Sequence, residues 1–178
     1  MISAQLLLSP SRNAPTSRRF QDEIIPRLGN VDLEYISVIL SNLLGMEYVL
    51  YGKTQNFHWN VTGQSFVGIH KLLGKQYHEL SGFIDQVAEQ IRKYGRAAPG
   101  SLQEFLILND KVQGIQEKSG ELIRQELIAA EMVSSHEVVI QNINGLQNSR
   151  IDLATQNMLG DILHFHMKAA WMWRAHLE

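Results

Sequence analysis

The stretch SFVGIHKLLGKQYHELSGFIDQVAEQIRKYG, residues 65–95, decides the fold. Leu72, Leu73, Leu80, Phe83, Ile84, Val87, Ala88 and Ile91 recur at three- and four-residue spacing, which gathers them on one side of a helix. No proline interrupts the run, and Ala97-Ala98-Pro99-Gly100-Ser101 stops it. The spacing predicts an amphipathic helix well beyond the usual three turns, which must be covered along its whole length by other helices.

Reading outward, residues 27–98 and 100–178 contain no proline except the intervening Pro99, so long helices are permitted on both sides. A first helix is expected from Asp32 to Asn60, with Leu33, Ile36, Leu40, Leu43, Leu44, Val49 and Leu50 in helical register and Thr62-Gly63-Gln64 breaking it. A short apolar piece, Phe105 to Leu108, leads to a third long helix from Glu117 to Asn142. A fourth begins near Asp152 and continues to the end through Leu159, Ile162, Leu163, Ala170, Trp173 and Leu177. Two long pairs joined by a longer connection suit an antiparallel four-helix bundle with one crossover. The first 30 residues hold Pro10, Pro15 and Pro26 and read as a separate arm, leaving 31–178 as one domain.

Composition narrows the chemistry. The 178 residues include no cysteine, which excludes disulfides, thiol catalysis and cysteine metal sites; 18 carboxylates and seven histidines remain. The net charge of −2 is unevenly distributed: residues 1–21 carry Arg12, Arg18 and Arg19 and no acid, so that a +3 arm leaves the other 157 residues at −5. Such a body does not grip nucleic acid over its whole surface. Leu6-Leu7-Leu8 is too short for a signal peptide, and the uncharged run Tyr35 to Met46 falls short of the ~20 residues that cross a bilayer, so a cytoplasmic location is expected.

The predicted second helix carries a stripe of ionisable groups. At 100° per residue, His70, position 74, His78, Asp85 and Glu89 fall within an arc of about 100°, spread over about 29 Å of axis. No single ion can meet all of them. Two such helices packed antiparallel across a twofold axis would set His70 of one against Glu89 of the other, and make every such site twice. His58, within Asn56-Phe57-His58-Trp59-Asn60, adds a third imidazole. The residues alone leave two readings open, a metal site or a core histidine with a solvated acid pair. On the last helix Asp161 and His164 stand three residues apart on one face, a spacing close to the Glu-x-x-His of di-iron bundles. His166 falls on the apolar stripe and is expected in the core or an interface, whereas His136 and His176 are expected at the surface without partners.

Taken together, Asn56-Phe57-His58-Trp59-Asn60-Val61, His70 twelve residues after His58, Asp85-Gln-Val-Ala-Glu89-Gln-Ile-Arg92, Ala98-Pro99-Gly100-Ser101 and Lys168-Ala-Ala-Trp171-Met172 resemble the Dps miniferritins. The resemblance covers most of residues 31–178. It implies an all-α, ferritin-like four-helix bundle with a short extra helix between the second and third helices, twelve copies of which form a hollow shell. It implies a ferroxidase that oxidises Fe(II) with hydrogen peroxide or dioxygen and stores ferric oxide. His58 and His70 of one chain, with Asp85 and Glu89 of its partner, would be the metal ligands, and Trp59 would intercept radical products. One position departs from the pattern: four residues after the second histidine the family has Asp, and here it is Gly74. His78, one turn further on, is the candidate replacement, followed by His164 and Asp161. A nitrogen-rich centre admits zinc as a competitor of iron. The alternative reading is a DNA-compacting protein with a structural metal site, but DNA binding is not favoured by three arginines against an acidic body.

Overall fold

The computed structural model describes residues 33–111, 113–117, 120–146 and 151–178, and among these the chain is almost entirely helical. The order is α1 (Leu33–Asn60), β1 (Val61–Thr62), α2 (Phe66–Lys93), α3 (Leu102–Lys111), β2 (Ile123–Arg124), α4 (Gln125–Asn144) and α5 (Leu153–Arg174). The expected 1–30 arm lies outside the described residues. α1 and α2 form one hairpin and α4 and α5 a second, with α3 in the long connection between them. This is the ferritin-like arrangement with its short extra helix.

Two differences from the sequence reading have physical causes. The helix expected from Glu117 begins only at Gln125, because Ile123 and Arg124 are held extended as a short parallel pair with Val61 and Thr62. Helical propensity there gives way to a tertiary backbone pairing that no local pattern announces. The parallel pairing also sets the end of α1 beside the start of α4, so these two helices run antiparallel. The apolar piece at 105–108 proves to be the middle of α3, ten residues long.

Capping fixes the ends. Gly95, at φ 75°, ends the turn after α2 in the left-handed region that glycine tolerates. Asp152 caps α5 by accepting from the backbone N–H groups of Ala154 and Thr155, at 3.0 and 3.1 Å. The Tyr94 hydroxyl donates to Asp152 and is bonded to Thr155, tying the end of α2 to the start of α5. Burial, reinforced by Asp152, pushes the Tyr94 phenol up to about 12, so it remains a proton donor. α3 lies directly on α1 at Gly45, where a Cβ would come 2.8 Å from Leu108 Cβ and 2.9 Å from the Phe105 carbonyl oxygen. Only glycine admits that approach.

Leu40, Leu43, Leu50 and Phe57 of α1 meet Leu73, Leu80 and Ile91 of α2, Ile128 and Met132 of α4, and Ile162 and Trp173 of α5 in a fully buried core. α1 is long and apolar enough to cross a membrane, with a hydropathy of 1.3 over its most apolar window, yet it is the bundle's inner element. It also brings charge inside. Glu47 and Lys53 are buried there, facing His166 and a pair formed by Glu131 and Ser135.

Here one expectation is corrected. His136, read as a surface group without partners, is completely buried and lies 2.9 Å from His166, Nδ1 to Nδ1. His166, as expected, is in the core, and its Nε2 is 2.9 Å from Glu47 Oε1. A neutral His136 donates from Nδ1 to His166, which donates in turn from Nε2 to the Glu47 carboxylate. Burial holds His136 well below the ordinary histidine range, with His166 and Lys53 adding to the effect. His176 is exposed, as expected.

Two outcomes follow from this packing. Unfolded His136 takes up a proton near pH 6.5 while the folded residue stays neutral, so stability present above that pH is lost below it, by up to about 1.4 kcal/mol per pH unit. The urea midpoint falls between about pH 7.5 and about pH 5.5, and His136→Gln reduces that difference; equal midpoints in the parent protein would contradict the assignment. Gly45→Ala forces α3 away from α1 and lowers stability by ~1–3 kcal/mol in the same titration.

Candidate metal centre

Only the five residues 61–65 separate the last turn of α1 from the first turn of α2, so His58 and His70 meet across the hairpin. Their rings stack with centroids 3.7 Å apart and planes inclined by 20°. His58 Nδ1 lies 2.8 Å from the His70 carbonyl oxygen, and His70 Nδ1 lies 2.8 Å from the His58 carbonyl oxygen. A carbonyl can only accept, so each Nδ1 must carry the proton and donate. The tautomer of both rings is thereby fixed, and in the neutral form each Nε2 presents an unprotonated lone pair. Backbone carbonyls in this position orient metal-binding imidazoles generally. The His58 carbonyl is also one of the last four of α1, which lack an intrahelical partner, so His70 serves as a cap.

The surroundings of the pair are aromatic. Phe66 stacks on His70 at 5.2 Å, and Tyr77 meets His58 edge-on at 5.2 Å. Gly74 is part of the same patch: a Cβ there would lie 3.2 Å from His58 Cε1 and 3.4 Å from its Nδ1. Any side chain at position 74 would press on the His58 ring. His78, one turn beyond, is exposed, with its ring 4.3 Å from that of Tyr77. Trp59 follows His58 but points outward and is 68% exposed.

The remaining candidates are not at this place in the same protomer. Asp85 and Glu89 are exposed on α2, about 22 and 29 Å along the axis from His70. Asp161 and His164 are exposed on α5. Their neighbour His166 touches Glu47, which is eleven residues, or about 17 Å, below His58 on α1. Among the described residues no protomer gathers three His, Asp or Glu side chains around one ion. One protomer therefore offers two preset imidazole nitrogens and an exposed acid pair far down the same helix, and only a second copy can bring the two sets together.

Three glutamates of α4 lie away from this pair. Glu126 is exposed, Glu131 accepts from Lys53 at 2.8 Å, and Glu137 pairs with Arg174.

The sequence profile of the ferritin-like domain family matches residues 38–178. The chain is 29% identical over 144 residues to an uncharacterized low temperature-induced protein of Nostoc sp., covering 79% of this chain and 78% of that one. It is 29% identical over 147 residues to a DNA protection during starvation protein of Brevibacillus brevis, covering 82% and 96%. The crystal structure of a Dps protein from Deinococcus radiodurans superimposes with a TM-score of 0.74 at 27% identity, over 83% of this chain and 88% of that one.

The fixed tautomer can be read directly. Nitrogen-15 NMR of the imidazoles is expected to show the proton on Nδ1 rather than Nε2 in the neutral form of both His58 and His70. His70→Ala leaves the residue-70 carbonyl in place, so His58 keeps its proton on Nδ1 in that variant, and a His58 proton found on Nε2 would refute the lock.

Proposed function

Because the chain belongs to the ferritin-like family, in its Dps branch, we propose that it is a ferroxidase and iron-storage protein that protects against oxidative damage. The reading is carried by the two Nε2 lone pairs that the His58–His70 lock presents at the end of the hairpin. Fe(II) is the substrate. His58 and His70 of one copy bind it together with Asp85 and Glu89 of a twofold-related copy, as their separation along α2 requires. The carboxylates are anionic and favour the ferric product, while the imidazoles suit either iron or zinc, so zinc competes for the site.

His78 supplies the donor that Gly74 lacks. Its exposure beside Tyr77 leaves its ring available to an ion held between copies. Asp161 and His164 can contribute only from a neighbouring copy. Trp59, exposed next to His58, is the nearest indole to intercept radicals. The assembly is a hollow dodecamer in the cytoplasm that fills with ferric oxide, and either hydrogen peroxide or dioxygen serves as oxidant. Entry of iron is helped by the acidic body. The reading as a DNA-compacting protein rests on the arginines of residues 1–21, which lie outside the described residues.

A site shared between copies has a distinctive signature. His58→Ala and Glu89→Ala each abolish rapid Fe(II) oxidation, but co-assembly of the two variants in equal amounts restores about a quarter of the sites, since half of the pairs are mixed and each mixed pair keeps one intact centre. No recovery would mean that the ligands do not come from two chains. His78→Ala reduces bound metal and the oxidation rate; unchanged values would remove His78 from the centre. Iron loading followed by sizing detects the filled shell.

A further inference from the structure

α2 contains three glycines, Gly68, Gly74 and Gly82, and they differ in what lies over them. A Cβ at Gly68 or Gly82 would meet nothing within 4 Å. At Gly74 it would meet the His58 ring, 3.2 Å from Cε1 and 3.4 Å from Nδ1. The first distance is shorter than the 3.5–4.0 Å at which carbon atoms pack, so the ring would have to give way.

The ring is restrained on its other sides. It stacks on His70 at 3.7 Å, and Tyr77 meets it edge-on at 5.2 Å. Tyr77 is backed in turn by Tyr51 at 6.2 Å, Tyr51 by Tyr48 at 6.0 Å, and Tyr48 by a stack on Phe105 at 4.2 Å. This row of rings reaches from the hairpin corner to α3 and buttresses Tyr77 against displacement. The last restraint is directional: His58 Nδ1 donates to the His70 carbonyl at 2.8 Å, and such a bond weakens as the donor moves away from its acceptor. His70 has no such dependence on the His58 ring. Its Nδ1 donates to the main-chain carbonyl of His58, which stays in place when that ring moves.

We propose that Gly74 is a positioning residue for the metal centre: by carrying no Cβ it seats the His58 imidazole against α2, and the seat keeps Nδ1 on the His70 carbonyl and leaves Nε2 as the nitrogen that binds Fe(II). The proposal rests on the reading of His58 as a ligand of the ferroxidase centre. Position 74 then contributes the room it leaves, and that room outweighs the donor a side chain would bring. Aspartate at 74 would add a carboxylate but press on an imidazole that is already oriented, and metal affinity depends strongly on such orientation. A gain from the added donor and a loss from the displaced ring are opposite outcomes, so the position can be tested directly.

The test uses the assembled full-length protein, labelled with nitrogen-15 at histidine, and zinc as a redox-inert divalent probe added to the metal-free form. In Gly74→Ala and, more strongly, in Gly74→Val, neutral His58 is expected to show a population with the proton on Nε2, while His70 keeps its proton on Nδ1. Gly82→Ala, which has open space over it, leaves both rings as in the parent protein. By calorimetric titration Gly74→Ala binds zinc about 10-fold more weakly than the parent, and Gly74→Asp binds it no more tightly than the parent. His58 held on Nδ1 in both the alanine and valine variants, or tighter zinc binding by Gly74→Asp than by the parent, would overturn the proposal and leave the ferroxidase reading intact. Zinc binding and Fe(II) oxidation that are both indifferent to His58→Ala would overturn the ferroxidase reading, and the role of Gly74 in metal binding would fall with it whatever the tautomers show.

Discussion

A five-residue connection between two 28-residue helices is the constraint on which the rest of the structure depends. So short a link forces α1 and α2 into antiparallel contact over their full length, and it also brings their adjoining turns together. In that corner the last carbonyls of α1, His58 among them, lack an intrahelical partner, and His70 donates to the His58 carbonyl. His58 and His70 each donate to the other's backbone, so the same two bonds close the hairpin and fix the tautomer of both neutral rings. The bond that caps the end of α1 also leaves the Nε2 of His70 free of any backbone partner in that corner.

The interior follows a second constraint. Glu47 and Lys53 on α1 are fully or nearly fully buried, and an isolated charge there is unfavourable by several kcal/mol. Each is compensated by a group from the opposite hairpin: His166 for Glu47, Glu131 and Ser135 for Lys53. These contacts span the bundle and hold the α1/α2 pair in register with α4/α5. The pairing of β1 with β2 sets the direction of α4, and the Tyr94–Asp152–Thr155 cluster fastens the far end. Polar contacts thus specify the register of a core whose leucines and isoleucines would accept several.

The legible parts of the sequence were those governed by local periodicity. The four long helices, the turn at Ala97–Ser101 and the start of the last helix near Asp152 depend on spacing within one segment. The start of α4 did not, because Ile123 and Arg124 are recruited by Val61 and Thr62 on a distant segment. His136 was misplaced for a similar reason: its partner is His166 on another helix, and nothing near position 136 marks it as buried. The signal available was its i, i+3 and i, i+4 relation to Val133, Met132 and Val139, which places it on the inner face of α4.

For the centre, the sequence by itself determined which donors exist and that they cannot all serve one ion in one chain, since their spacing along a helix is fixed by the 1.5 Å rise per residue. It also places Gly74 four residues after His70, where no side-chain donor is available. Only the tertiary structure decided which nitrogen of each histidine is available, because that depends on carbonyls supplied by the other helix. It alone revealed the row of rings from His58 to Phe105, whose members come from three helices, and the buried His136–His166–Glu47 chain. Periodicity is a property of one helix, whereas a hydrogen bond or a ring contact between helices exists only once their packing is settled.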